Sequence, residues 1–221
     1  MKILKNLKSK IFSREKDGTI RRVKILGLIF VYDKANQKTN RIAFSAKLKN
    51  VTLEGGARIH PHARIETNFP KNKILIGHGS HIGRGTVIST HNHNSKIKIG
   101  KNCSIGFYND FYGQGGLEIG DYVLTARNVC ILTSNHGFVD VNIPIKMQES
   151  SYAKTSIGDS TWLGYNVIVL AGVKIGKHCV IGAGSVVTKD IPDYSVAVGN
   201  PCRVIKQYNF ETSTWENVKS N

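Results

Sequence analysis

The chain has 221 residues and a formal net charge of +16, from 31 Lys and Arg against 15 Asp and Glu. With 40% hydrophobic and 21% charged residues it is too apolar for a disordered chain and long enough to bury one core. No run of about 18 apolar residues is present to cross a membrane as a helix, and four scattered cysteines (Cys103, Cys130, Cys179, Cys202) make neither a disulfide framework nor a zinc knuckle, which suits a cytoplasmic setting.

The basic charge is concentrated at the start: residues 1–50 carry +11 of the total. MKILKNLKSKIF has lysines throughout and no small-residue cleavage site, so it does not read as a signal peptide. Ile3, Leu4, Leu7 and Ile11 fall at helical spacing between Lys2, Lys5, Lys8 and Lys10. That pattern suits a short amphipathic helix on an anionic membrane surface, or equally a solvated cap on the fold. Nucleic acid is not expected as a partner, since neither an aromatic stacking motif nor a helix-turn-helix signature accompanies the charge.

From Leu53 onward the chain repeats every six residues. Sets of eighteen begin at Leu53, Ile76, Ile99, Ile119, Ile157 and Ile175, and of the eighteen first positions only Thr125 is not apolar. A helix would show a period of 3.6 and a half-buried strand a period of 2. Six residues to a side and three sides to a turn instead describe a triangular coil with the first residue pointing inward. The residue four later is mostly small (Ala57, Ala63, Ser80, Cys103, Thr161, Cys179, Ser185), as a narrow interior requires. Glycine at the second position is expected to free the backbone near the corner. Six coils at about 4.8 Å each make a prism about 29 Å tall. The extra residues 71–75, 94–98, 117–118 and 137–156 all follow a set of eighteen, so they leave from one corner. The expected organisation is a basic cap over 1–50, a prism over 51–203 with an inserted loop at 137–156, and a tail over 204–221.

TWLG at 161–164, VIGAGSVVTKDIP at 180–192 and GNPCRVI at 199–205 occur in that order and spacing. With the repeat around them, residues 76–206 closely resemble the hexapeptide-repeat acyltransferases, in the branch of galactoside, maltose, nodulation-factor and polysaccharide O-acetyltransferases. The resemblance implies an all-β fold, a left-handed parallel β-helix, and a homotrimer with sites in clefts between prisms. It also implies acetyl-CoA as acyl donor, a sugar or glycan hydroxyl as acceptor, and no metal.

The same resemblance assigns residues. His136, seventeen residues after Ile119, matches the catalytic histidine; a neutral imidazole can take a hydroxyl proton as the oxygen attacks a thioester. Trp162 matches an aromatic residue near the acyl and acceptor site, with trimer packing as its alternative role. Ala183, Thr188 and Lys189 match positions lining the CoA channel. Arg203 matches a CoA-phosphate ligand, and Lys206 stands where arginine is common, so that a bidentate contact becomes a point charge. The loop 137–156 is implied to reach toward a neighbouring site, or is a surface excursion. The acceptor-orienting asparagine of the galactoside enzymes aligns with Gly106. Asn109 is the expected substitute, with Asp110 and Tyr108 behind it; the plainer reading of Asn109 is a corner residue in left-handed backbone. His91 and His93 form an H-x-H pair, but the zinc carbonic anhydrases that share such a prism carry two histidines five apart in one coil, and His136 has no histidine at that spacing. Acetylation of an amino sugar, a serine or an antibiotic, and a catalytically silent scaffold, are the rival functions.

Overall fold

The computed structural model describes residues 40–69, 74–92 and 94–218, together with the backbone of Lys16–Asp17, Ile20–Ile25, Leu28–Asp33 and residues 38–39. The amphipathic segment proposed for residues 2–12 lies outside the described residues.

The six-residue period becomes a three-sided stack of parallel strands, the left-handed parallel β-helix that the family resemblance implies. The first face holds Arg58–Ile59, His81–Ile82, Ser104–Ile105, Leu124–Thr125, Trp162–Leu163 and Val180–Ile181 in parallel register. The second runs from Lys47–Lys49 through Arg64–Thr67, Val87–Thr90, Asp110–Tyr112, Cys130–Ile131 and Ile168–Val169 to Val186–Val187. The third runs from Val51–Leu53 through Ile74–Ile76, Ile97–Ile99, Leu117–Ile119 and Thr155–Ile157 to Lys174–Ile175. Each first-position side chain points inward and stacks on its equivalents. Ile65, Ile88, Phe111, Ile131, Val169 and Val187 form one such column, all fully buried, and each contributes on the order of 2 kcal/mol by leaving water.

Parallel pairing begins earlier than the period suggests. Arg41 and Ile42 pair with Arg58 and Ile59, and Lys47–Lys49 with Arg64–Glu66. The boundary drawn at residue 51 therefore falls inside the stack: the coil entered at Arg41 keeps the six-residue step from Ile42 to Leu48 and loses it from Leu48 to Leu53, which hides it from a strict period. Upstream, the described strands from Lys16–Asp17 to Lys38–Ala43 extend the first face as an antiparallel meander. At the other end Ser195–Val198 adds a last parallel strand, and Arg203–Asn209 and Thr214–Asn217 continue antiparallel. At both ends of the coil antiparallel strands thus extend the first face, which pairs that face's outer strand edges.

The glycines act differently from the expectation. The positive-φ residue is the fourth of most units: Gly79, Gly85, Asn102, Tyr108, Tyr122, Asn128, Ser160, Asn166 and His178 among them. The second-position glycines serve close approach instead. A Cβ on Gly77 would meet the Lys101 backbone nitrogen at 2.8 Å, and one on Gly120 the Asp159 nitrogen at 2.8 Å.

The small interior residues do more than fit. Ser80 Oγ donates to Gly100 O (2.7 Å) and accepts from Cys103 N–H (2.9 Å). Thr86 does the same with Gly106 O and Asn109 N–H, and Thr161 with Gly176 O and Cys179 N–H. The thiols of Cys103 and Cys179 donate to Gly120 O and Pro192 O; burial pushes both thiols up, so they stay protonated donors. These side chains complete the backbone hydrogen bonding at corners where the strands part.

Candidate active site

The insertions leave the corner between the second and third faces. Here Ile131 ends a second-face strand and Thr155 begins the next third-face strand. The segment between them forms a hairpin in which Ser134 and Asn135 pair with Tyr152 and Ser151. Thr133 pins its base, donating to Tyr112 O (2.6 Å) and accepting from Gly115 N–H (2.8 Å). Gln148 ties the tip, its Nε2 donating to both Asp140 O and Ile143 O at 2.8 Å. This tied tip presents Phe138, Val139, Val141 and Met147 to solvent, with Val141 92% exposed. His136 lies exposed between the hairpin and the tip.

Thr188 and Lys189 follow Val187, the second-face residue two coils beyond Ile131, and are exposed at the same corner as His136. The other candidates sit elsewhere. Trp162 stands half exposed on the first face, in register with Leu124 and Val180. Ala183 is exposed where that face turns toward the second. Arg203 and Lys206 belong to the antiparallel strand that continues the first face, where Lys206 pairs with Val196. Arg203 Nη1 donates to Cys202 O (2.9 Å). A corner lies opposite a face in a triangle, so His136 and Trp162 are separated by the body of the prism, on the order of 15 Å with six residues to a side. Within one protomer these two groups of candidate residues face away from each other.

Asn109 corrects the sequence reading. It is 1% exposed and sits at the interior position four after Ile105. Its Nδ2 donates to Thr125 Oγ1 (2.6 Å) and its Oδ1 accepts from Val129 N–H (2.7 Å). An amide committed on both sides inside the prism cannot orient an acceptor outside it. Nor is Asn109 the left-handed corner residue, which is Tyr108 at φ 57°.

Asp110, the neighbouring substitute, does face outward, between Val87 and Cys130 on the second face. Its Oδ1 is buried without a hydrogen-bond partner among the described residues. Burial pushes its carboxyl up, against the opposing pull of the Tyr112 hydroxyl and Arg64. A carboxyl raised in the folded state holds its proton more tightly than in the unfolded chain. Its contribution to stability is full below the ordinary carboxylate range and is lost as pH rises through the raised pKa. Asp110→Asn is therefore expected to raise Tm at neutral pH and leave it unchanged in acid below that range. Thermal melts at the two pH values decide it, and equal shifts at both would overturn the assignment.

Among the described residues, no group of three His, Cys, Asp or Glu side chains is placed to hold a metal ion. His91 is exposed with its Nδ1 3.4 Å from Asn68 Nδ2, and His93 lies outside the described residues. No helix among the described residues is long and apolar enough to cross a membrane.

A family model described as bacterial transferase hexapeptide (six repeats) matches residues 154–189. The "Putative lipopolysaccharide biosynthesis O-acetyl transferase WbbJ" of Escherichia coli K12 is 35% identical over 149 residues, covering 54% of this chain and 76% of that protein. The galactoside O-acetyltransferase of the same organism is 40% identical over 116 residues, covering 52% of this chain and 56% of the relative. Among solved structures, the polySia specific acetyltransferase NeuO superposes with a TM-score of 0.59 at 28% identity, over 76% of this chain and 70% of that one. The chain belongs to the hexapeptide-repeat acyltransferase family. It spans 52% to 63% of the length of several of the curated relatives it matches.

Proposed function

We propose that the protein is an acetyl-CoA-dependent O-acetyltransferase that acetylates a sugar hydroxyl of a glycan, at sites formed between protomers of a homotrimer. The observation that carries this reading is the division of the site. His136 sits at one corner and Trp162 on the opposite face, so a complete site needs the corner of one copy against the face of the next. The apolar tip at Phe138, Val139, Val141 and Met147 supports it, since a tied and exposed apolar surface suits a neighbouring chain. The O-acetyltransferase names of the relatives support the reaction class.

In this reading His136 takes the proton of the acceptor hydroxyl as its oxygen bonds to the thioester carbonyl carbon. The carbonyl oxygen takes up the negative charge, for which a backbone N–H in the cleft is the stabilising donor. Collapse breaks the carbon–sulfur bond, and the proton held on His136 passes to the departing thiolate. No covalent enzyme intermediate forms. Trp162 packs beside the acyl group. Ala183, small and at a turn, lets the backbone approach the pantetheine arm, while Thr188, Lys189, Arg203 and Lys206 meet the CoA phosphates and their surroundings. With Asn109 buried, the orientation of the acceptor falls to other groups.

The test is CoA release followed with a thiol reagent over a panel of sugars, oligosaccharides, amino sugars and serine. Release with a hydroxyl-bearing glycan and not with the amines is the expected result. Absence of release with every acceptor, together with absence of binding to immobilised CoA, would replace the enzyme by a scaffold.

A further inference from the structure

The outward side chains of the first face form one lengthwise stripe. In register, coil by coil, it runs Arg41, Arg58, His81, Ser104, Leu124, Trp162 and Val180. Its Trp162 end is apolar and its N-terminal end is cationic. His60 lies beside Arg58 one residue past the inward Ile59, and Arg84 projects at the adjoining corner. The first face has no carboxylate on any strand from Lys38–Ala43 to Ser195–Val198. The other two faces carry carboxylates among their cations: Arg64 pairs with Glu66 at 3.4 Å, and Lys98 and Lys154 pair with Glu118 at 3.7 and 2.6 Å, while Lys47, Lys49 and Lys174 stand exposed without an ion pair among the described residues. Arg41 and Arg58 are exposed and have no carboxylate within ion-pair distance among the described residues. Like charges set directly opposite on adjacent strands repel. The repulsion is registered at His81, whose imidazole is held below its ordinary range by burial and then by Arg58 and His60.

We infer that the N-terminal half of the first face is a binding track for an anionic glycan, an acceptor chain bearing carboxylate or phosphate groups, with the acetylated hydroxyl at Trp162. The direction rests on the acetyltransferase reading. CoA is assigned to Arg203 and Lys206 at the C-terminal end of this face, so the acceptor enters from the other end. Four strand spacings separate Trp162 from Arg58 and five separate it from Arg41, about 19 and 24 Å. A single sugar cannot reach that far, and an extended chain of several residues can. Arg41, Arg58 and His81 follow one another lengthwise along the stack, as the charges of a linear polyanion do.

The test measures binding of polygalacturonate, of neutral dextran of similar length and of vesicles rich in phosphatidylglycerol, to the full chain and to an Arg41→Gln/Arg58→Gln variant. Polygalacturonate is expected to bind the unaltered chain, and dextran at least about tenfold more weakly. The double variant should lose about tenfold in polygalacturonate affinity and show a flatter salt dependence, at about 0.7 kcal/mol for each exposed cation. Acetyl-CoA affinity should not move, and Tm should hold or rise slightly as the Arg41–Arg58 repulsion is relieved. If the double variant has no cooperative melt, Arg58→Gln alone is measured, with about a threefold loss expected. Unchanged polygalacturonate affinity in the variant overturns the track. So does equal binding of dextran, or a variant that loses only vesicle binding. A chain that binds polygalacturonate through these arginines but never releases CoA keeps the track and removes the acetyl-transfer reading.

Discussion

His136→Ala is expected to lower the turnover of acetyl transfer by about two to four orders of magnitude, the usual worth of a positioned proton acceptor. The KM for acetyl-CoA should stay within a factor of a few, because the residues assigned to the CoA phosphates lie two or more coils away. The fold should be unaffected, since the side chain is exposed and the hairpin is held by Thr133 and Gln148. The division of the site adds a sharper readout. Trp162→Ala should also be impaired, and its defect is on the opposite side of the prism. Unfolding and refolding an equimolar mixture of the two variants would place an intact His136 from one copy against an intact Trp162 from another in about a quarter of the sites. Activity should therefore return to that fraction of the unaltered level. A mixture no more active than its parts would show that the two residues do not share a site across copies. A near-normal rate in His136→Ala would remove it from the mechanism.

The column of inward aliphatic residues was legible because it is a strict one-dimensional pattern, and the structure buries those positions from Ile59 to Val187. The corner that carries the insertions was legible from the same phase. Other features depend on which coil lies above which. Glycine at the second position looked like conformational freedom, but its cause is the backbone of the next coil, seventeen or more residues away. The ladder from Ser80, Thr86 and Thr161 looked like a size limit, because hydrogen bonds between coils leave no trace in spacing. The cationic stripe was hidden by insertions of unequal length, which scatter Arg41, Arg58 and His81 along the chain while the coils set them side by side. Of the candidate site, His136, Thr188 and Lys189 fall on one corner, which spacing alone did not show. That the other candidates face away is a property of the triangle, which no single motif encodes.

Asn109→Ala is expected to cost stability and leave the KM for the acceptor alone. Thr125 is the one polar residue among the eighteen first positions, and its Oγ1 accepts from the Asn109 amide (2.6 Å) and the Gly106 N–H (3.1 Å) of the coil before. The same amide takes the Val129 N–H, which is deep in the interior beside a fully buried side chain. Removing the amide leaves that N–H unpaired, at about 1–3 kcal/mol. It also opens a space that the stacked coils cannot close, which brings the total to about 2–4 kcal/mol. Denaturant unfolding would show a lower midpoint. Asn109→Leu should not recover it, because leucine fills the space and leaves the N–H unpaired. Adding Thr125→Val to Asn109→Leu should recover part of it, since the two polar groups that need each other are removed together. If Asn109→Ala kept its stability and raised the acceptor KM by tenfold or more, the amide would be acting on substrate and the interior assignment would fail.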